Sequence, residues 1–403
     1  MTYDVAALRS HFPSLRSGIA HFDGPGGTQT PREVGQAMAA TLTGPLSNLG
    51  GAAVASERAA EEAIAAFRSA YADLLGVPPT GVVHGRSATQ LTYDFSRALA
   101  KTWRAGDEVV VSRLDHDCNV RPWVQAAEAH GLAVRWIDFD PATSEALWES
   151  VEAAITPRTR LVAVTGASNL LGTKPPVRRI ADAAHAVGAL VWVDGVHYAA
   201  HELVDLEALG ADLFVCSPYK FLGPHCGVLG ASPELLETLH PDKLLPSTEV
   251  VPERFELGTL PYEALAGAAA AVDFLAGIAG SAGGDRRERL RAGLHAVDEH
   301  EQRLRRRIED GLAALGDRVV LHSRAADRTP TLLLTMPGRK TWDAYAFLAA
   351  RDVLAPAGSF YAYEPFRRLG LDDENGLRLG LAPYVDDDDV DRVLDGIGAF
   401  LQS

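Results

Sequence analysis

Cysteine is scarce, with only Cys118, Cys216 and Cys226 in 403 residues. Three thiols cannot build a disulfide framework, and none stands in the Cys-x-x-Cys pair of a structural zinc site. That usage fits a reducing cytoplasm. Positive charge is short as well: 38 Lys and Arg face 53 Asp and Glu, a net charge of -15. The basic face that phosphate-backbone binding requires is missing, which excludes nucleic acid as a partner. Long apolar runs are lacking too. The most apolar stretch, Ala264 to Gly280, is interrupted by Asp273 and too rich in Ala and Gly to span a bilayer, so it is expected to be a packed helix and no membrane association is expected. Met1 to Ser10 carries Asp4 and Arg9 and no apolar core, so no secretory signal is expected.

What is present is enough hydrophobic residue, 47%, to bury a large core over two or three domains. From Val82 to Ala231 short β-branched runs alternate with helical spacing, which predicts parallel strands joined by crossover helices. Strands are expected at Glu108 to Ser112, Val134 to Phe139, Leu161 to Thr165, Ala189 to Asp194 and Asp212 to Cys216. Helices are expected at Pro122 to His130, Glu145 to Ala154, Val177 to Val187 and Leu203 to Leu209, with Gly188 and Gly210 as caps. The fold class is therefore α/β, a mostly parallel sheet covered by helices on both faces, with ligands at the carboxyl ends of its strands. A break at Gly280-Ser281-Ala282-Gly283-Gly284 precedes a charged connecting helix, Asp285 to Leu315, and a smaller C-terminal α+β unit. The expected organisation is an N-terminal segment, 1–20, packing on the small domain; a large domain, 21–280; and a small domain, 281–403.

Three signals fall just past expected strand ends. Gly85-Arg86-Ser87-Ala88-Thr89-Gln90 is a small-residue turn opening a helix, where free amides and the helix dipole favour a phosphate; taken alone it reads first as a plain N-cap. Asp194 ends an apolar strand, as an exposed turn residue or as the buried partner of a cation such as a pyridinium nitrogen. One strand later comes Ser217-Pro218-Tyr219-Lys220. A lysine in apolar surroundings loses its charge readily and becomes the amine that forms Schiff bases.

Together these segments resemble class V aminotransferases of the fold-type I pyridoxal-phosphate superfamily, in particular the cysteine desulfurase branch, from about Phe12 to Leu394. The resemblance implies pyridoxal 5′-phosphate held as an imine on Lys220, with Ser87, Ala88, Thr89 and Ser217 around the phosphate and Asp194 on the ring nitrogen. Asp115-His116-Asp117-Cys118-Asn119 is similar to the branch's Glu-His-His-Ala-Asn, which implies that His116 stacks on the ring. Ser168-Asn169-Leu170-Leu171-Gly172-Thr173 is similar to Ser-Asn-x-x-Gly-Thr and implies that Asn169 contacts cofactor or substrate. Arg254-Phe255-Glu256-Leu257-Gly258-Thr259 resembles a segment whose Thr completes the phosphate site of a neighbouring subunit, implying a homodimer with shared sites through Thr259. Arg378 matches the Arg that clamps the substrate carboxylate, and Gly27, in Gly24-Pro25-Gly26-Gly27-Thr28-Gln29, lies in the loop over the substrate. That loop lacks the third glycine of a dinucleotide fingerprint.

The departures bear on the reaction. The branch's loop Arg-Thr-Gly-His-His-Cys carries the persulfide-forming thiol; here the stretch is Pro356-Ala357-Gly358-Ser359-Phe360-Tyr361. His197 replaces a Gln beside the phenolic oxygen, and Tyr219 replaces a His. Ser47-Asn48-Leu49-Gly50-Gly51 lacks a His-Arg-Gly continuation. The expected activity is thus carbanion chemistry on a small α-amino acid, through an imine with the substrate and a resonance-stabilised carbanion, with carbon–sulfur lyase or transamination favoured over persulfide-forming desulfuration. The alternatives are a desulfurase using another thiol and a non-catalytic cofactor-binding scaffold. Phe360, Tyr361, Tyr363 and Trp123 are expected to line an aromatic side-chain pocket suited to a larger or S-substituted substrate. Ser217-x-x-Lys220 also matches a serine acyl-hydrolase signature, but the companion Ser-Asp-Asn and Lys-Thr-Gly are both missing.

Overall fold

Short runs of Val, Ile and Leu bounded by Gly, Asp and Ser become strands where both faces can be covered. The computed structural model describes residues 3–280, 283–371 and 376–403. Its strands are β1 (Ala20–His21), β2 (Val82–Gly85), β3 (Glu108–Ser112), β4 (Ala133–Ile137), β5 (Thr159–Thr165), β6 (Leu190–Asp194), β7 (Leu213–Cys216), β8 (Gly227–Ala231), β9 (Val320–Leu321), β10 (Thr331–Thr335), β11 (Val353–Leu354) and β12 (Leu377–Gly380). The main sheet has the order β2-β8-β7-β6-β5-β3-β4. Its neighbours from β7 to β4 run parallel, and β8 is antiparallel to both β2 and β7.

The period of two sorts the sheet's side chains into two cores. Val110, Val162, Val164, Val191, Val193 and Phe214 pack on one face under the helices Ala55–Leu75 and Val177–His185. Val109, Val111, Leu161, Ala163, Trp192 and Val215 pack on the other under Ala88–Ala100 and Arg121–His130. Because both faces are buried, the polar residues that end these strands are pushed to one edge. The register aligns Thr165 with Asp194 and Asp194 with Val215, so the loops after β5, β6 and β7 leave side by side.

The second sheet, β12-β10-β9, is antiparallel, and β1 pairs in parallel with β11. The first residues of the chain reach the same region: the Tyr3 hydroxyl donates to Pro383 O at 2.6 Å, and Arg9 pairs with Asp386 at 3.0 Å and Asp389 at 2.6 Å. The charged helix Arg286–Ala313 starts at a capping box between Asp285 and Glu288. Ser281 and Ala282 of the expected break lie outside the described residues. The apolar stretch forms the helix Tyr262–Gly277, and among the described residues no helix is long and apolar enough to cross a membrane.

Boundaries shift where caps or turns intervene. The helix expected from Glu145 begins at Trp148, because Phe139 bridges Ala146 and Ser144 turns with φ 62°. The one expected from Leu203 begins at Leu206, where the Asp205 carboxylate accepts from Ala208 N.

Candidate active site

Five strand ends and one small-sheet strand converge on a cavity of about 870 Å³. Past β2, the Ser87 hydroxyl caps the helix Ala88–Ala100 by accepting from Gln90 N at 3.1 Å, and Ser87, Ala88 and Thr89 face the cavity at that helix's positive end. The loop after β3 contributes His116 and Cys118, that after β5 Asn169, that after β6 His197, and that after β7 Ser217 and Lys220. Asp194, the last residue of β6, lies on the same wall, and Arg378 enters from β12.

Burial sets the electrostatics. Lys220 is pushed down to about 7, first by desolvation and then by the positive charge of Arg378. Its Nζ donates to Pro25 O and lies 4.9 Å over the Tyr219 ring, itself stacked on His225 at 4.7 Å. His116 falls to about 4 through burial and the nearby Lys220 and Arg378 cations. Asp194, buried, accepts from Val196 N at 2.9 Å, and desolvation raises its carboxyl, a cost that a cation against it would offset. Burial lowers Arg378 to about 9; its Nη1 donates to Asn169 O at 2.9 Å and its guanidinium lies 3.8 Å over Phe360.

The loop over the cavity is strained. Phe360 and Tyr361 both sit in the left-handed region, with φ 57° and 55°, a conformation costly for bulky residues. Two bonds hold them: Asp117 N donates to Tyr361 O at 2.8 Å and Asn169 Nδ2 to Phe360 O at 3.0 Å. The Tyr361 ring lies 5.5 Å from that of His116.

Several expected placements change. Trp123 does not line the cavity. It is buried against Trp192 at 5.0 Å and donates to Asn119 Oδ1 at 3.0 Å, because its helix turns that face toward the sheet. Tyr363 faces an adjoining vestibule of about 720 Å³ rather than the cavity itself. Pro25 and Gly26 line the cavity where Gly27 was expected; at Gly27 a side chain would instead meet Tyr219. Thr259 is exposed and outside this chain's cavity.

Other neighbours had no signal in the sequence. His197 Nε2 lies 2.9 Å from the hydroxyls of both Thr329 and Thr331, more than a hundred positions away in the chain. The Cys118 thiol reaches Asp194 Oδ2 at 3.5 Å.

These atoms test whether the site suits pyridoxal phosphate. Three cavity residues keep buried polar atoms with no partner among the described residues: His197 Nδ1, Asn169 Oδ1 and Arg378 Nε. Such atoms are costly unless a ligand meets them. A helix N-terminus, a buried carboxylate beneath the cavity and an amine near neutral pH complete a set that fits the phosphate, ring nitrogen and aldehyde of that cofactor. The turn at Ser87 and Ala88 is also backed closely by β8. A Cβ on Gly227 would come within 2.4 Å of the Ser87 carbonyl carbon and 2.7 Å of Ala88 N. Gly227→Ala is therefore expected to cost about 1–3 kcal/mol by overpacking. It should appear as a lower melting temperature and a smaller stabilisation by added pyridoxal phosphate; an unchanged melt and affinity would show that the turn yields freely.

Comparison with known proteins agrees with the geometry. The profile of the aminotransferase class-V family matches residues 20–393. An uncharacterized protein of Mycobacterium tuberculosis is 32% identical over 98% of both chains. A cysteine desulfurase of Klebsiella pneumoniae is 28% identical over 98% of both, and the aminotransferase-like protein FGM3 of Gibberella zeae 29% over 98% of this chain and 97% of its own. Among solved structures, the cysteine desulfurase CsdA of Escherichia coli superposes with a TM-score of 0.88 at 25% identity, covering 100% of this chain and 99% of that one. On its cavity, its parallel sheet and a profile match spanning nearly its whole length, the chain belongs to the class-V aminotransferase family of fold-type I, pyridoxal-phosphate-dependent enzymes.

Proposed function

We propose that the protein uses pyridoxal phosphate on Lys220 to break a bond at Cα of an α-amino acid, by carbon–sulfur lyase or transamination chemistry rather than by loading sulfur on one of its own cysteines. The state of its thiols carries this reading. Sulfur transfer needs a thiolate near the substrate, yet position 361 is Tyr, and burial pushes the thiols of Cys118, Cys216 and Cys226 up, the last to about 12. Cys118, the one that lines the cavity, lies against Asp194, whose negative charge further disfavours a thiolate.

The bound cofactor supplies an electron sink that lets a substituent leave Cα. Lys220 holds it and, once free, accepts the Cα proton at Nζ. Asp194 would support the ring nitrogen, His116 would cover the ring, Ser87, Ala88, Thr89 and Ser217 would take the phosphate, and His197 would serve the phenolic oxygen. His197 Nε2 lies 2.9 Å from both the Thr329 and Thr331 hydroxyls, and with one of them donating to Nε2 the ring keeps Nδ1–H as a donor into the cavity. Asn169 and Arg378 take the substrate carboxylate under the Tyr361 loop.

Residues 21–280 make up the cofactor-holding domain and 281–403 the smaller one that brings Arg378, with the N-terminal segment 1–20 packing on the latter. Exposed Thr259 supports a homodimer in which it completes the neighbouring chain's phosphate site. The free thiols support a cytoplasmic setting.

The vestibule shares Asp117, Arg121, Phe360 and Tyr361 with the main cavity, room that a short free amino acid would leave empty and a larger or S-substituted one would fill. The test is to incubate the cofactor-loaded enzyme with cysteine, S-alkyl cysteines and aromatic and short amino acids while following keto acid, released thiol or sulfide, and protein-bound persulfide. Keto acid, with the matching thiol released from S-alkyl cysteines, and kcat/KM rising toward S-substituted substrates are the expected results. Cysteine converted to alanine with persulfide on the protein would overturn the reaction class.

A further inference from the structure

Behind the cavity lies a buried ionisable pair that the proposed reaction leaves unused. His201 Nδ1 meets Glu301 Oε2 at 2.7 Å, with side-chain exposures of 5% and 0%. Glu301 belongs to the helix Arg286–Ala313, and His201 follows the turn Tyr198–Ala200 just past β6. The His201 ring stands edge-on to His197 at 4.9 Å. Glu301 Oε1 has no partner among the described residues.

A pair so placed is a poor brace. Burying two such groups costs several kcal/mol in desolvation, and apolar side chains of the same size hold elements together as well or better. An unpaired carboxylate oxygen raises that cost. What distinguishes the position is a cavity of about 10 Å³, near the lower limit for one water, whose wall includes His201, Lys220 and Thr28 among otherwise apolar residues. Lys220 thus borders two spaces, the substrate cavity in front and this one behind.

We propose that Glu301 and His201 form a proton store that Lys220 reaches across the small cavity. The inference rests on Lys220 being the base that takes the Cα proton. The Lys220 ammonium passes a proton to the intervening water as that water gives one to His201 Nε2. Lys220 is left as a neutral amine and His201 as an imidazolium against the Glu301 carboxylate. The reverse transfer recharges the lysine. Among the described residues, titratable groups near the pair include His197, edge-on to His201; His300, next to Glu301 in the chain and packed against the Tyr3 ring; and Tyr3 and Tyr384, which feel the Glu301 charge and whose phenols burial holds protonated. His201 and Glu301 are positioning residues, acting through Lys220.

The experiment uses the full chain in two arms, cofactor-loaded in the first and cofactor-free, with Lys220 a free amine, in the second. In the first, exchange of an amino acid's Cα hydrogen with D2O is followed across pH in the wild type, Glu301→Gln and His201→Phe. Both variants are expected to slow exchange about tenfold, with the double variant no slower than either single one, and with the visible spectrum and KM unchanged. In the second, nitrogen NMR of histidine-labelled protein reads the exchange of the His201 ring proton with water. It is expected to slow about tenfold in Lys220→Met, which removes the relay's outlet. Wild-type exchange rates in Glu301→Gln with only a lower melting temperature, together with His201 exchange indifferent to Lys220→Met, would overturn the proposal and leave the pair a brace. A wild type that exchanges no Cα hydrogen from any amino acid would instead sink the proposed function. The NMR arm then decides alone, slowed exchange retaining the proton path and unchanged exchange removing it.

Discussion

Replacing Lys220 by alanine is expected to abolish the yellow absorbance that pyridoxal phosphate gives the wild type and that borohydride bleaches, and to lower turnover of any amino acid by at least about 10⁴-fold. In the proposed reaction one side chain supplies both the covalent attachment and the base, and positioned proton transfer alone is worth about 10²–10⁴. The same lysine sets a pH dependence. Because its folded value is depressed to about 7, the neutral amine fills in as pH rises to 7 and is nearly complete above it. The rate of cofactor loading should therefore rise tenfold per pH unit up to about 7 and then level, whereas an ordinary lysine would keep gaining until about 10.4. Stopped-flow absorbance from pH 5.5 to 9.5 measures this. A rate still climbing at pH 9 would mean that Lys220 sits in water, not against Arg378. A colourless wild type that cannot be loaded would remove the cofactor assignment itself.

The residues legible in the sequence were those whose chemistry is local. Asp194 and Lys220 stood at the ends of apolar runs whose strand character is set by both-face burial, so their common edge followed from the parallel pattern. Ser87 could be read as a cap, and it is one, toward Gln90 N. The strand β8, Gly227–Ala231, was not expected. Two of its five residues are glycine, which weakens any strand signal, and the reason for Gly227 is the contact with Ser87 and Ala88, which exists only once the sheet is assembled. Trp123 was misplaced for a related reason. Its spacing from Asn119 is helical, but which face of that helix meets the sheet is decided by Trp192 on a strand sixty-nine positions later. Contacts such as His201 with Glu301, and His197 with Thr329 and Thr331, join chain segments separated by 100 positions or more and leave no local trace. In the sequence, the site's chemistry was visible wherever a motif is continuous and invisible wherever the fold brings its parts together.

The carboxylate site proposed at Arg378 is where a single side chain has the largest expected consequence. Arg378 is 3% exposed, has no carboxylate within ion-pair distance among the described residues, and keeps Nε unpartnered. A cation so desolvated destabilises the empty protein and is stabilised when an anion arrives, so removing it should act in opposite directions on stability and on binding. Arg378→Met is expected to leave the amino-acid-free protein as stable as the wild type or more so by thermal melt. It should also raise KM for α-amino acids by roughly 30- to 4,000-fold, the equivalent of about 2–5 kcal/mol for a buried hydrogen-bonded charge pair. Arg378→Lys keeps the charge but loses the planar fork that presents Nε and an Nη together, so it should recover only part of that loss. A neutral amine lacking the carboxylate should distinguish the variants least, because it makes no use of the guanidinium. If Arg378→Met instead lowered kcat and left KM unchanged, Arg378 would be supporting the Phe360 ring that it lies over at 3.8 Å, and the carboxylate would have to be taken by Asn169 and the backbone of the loop.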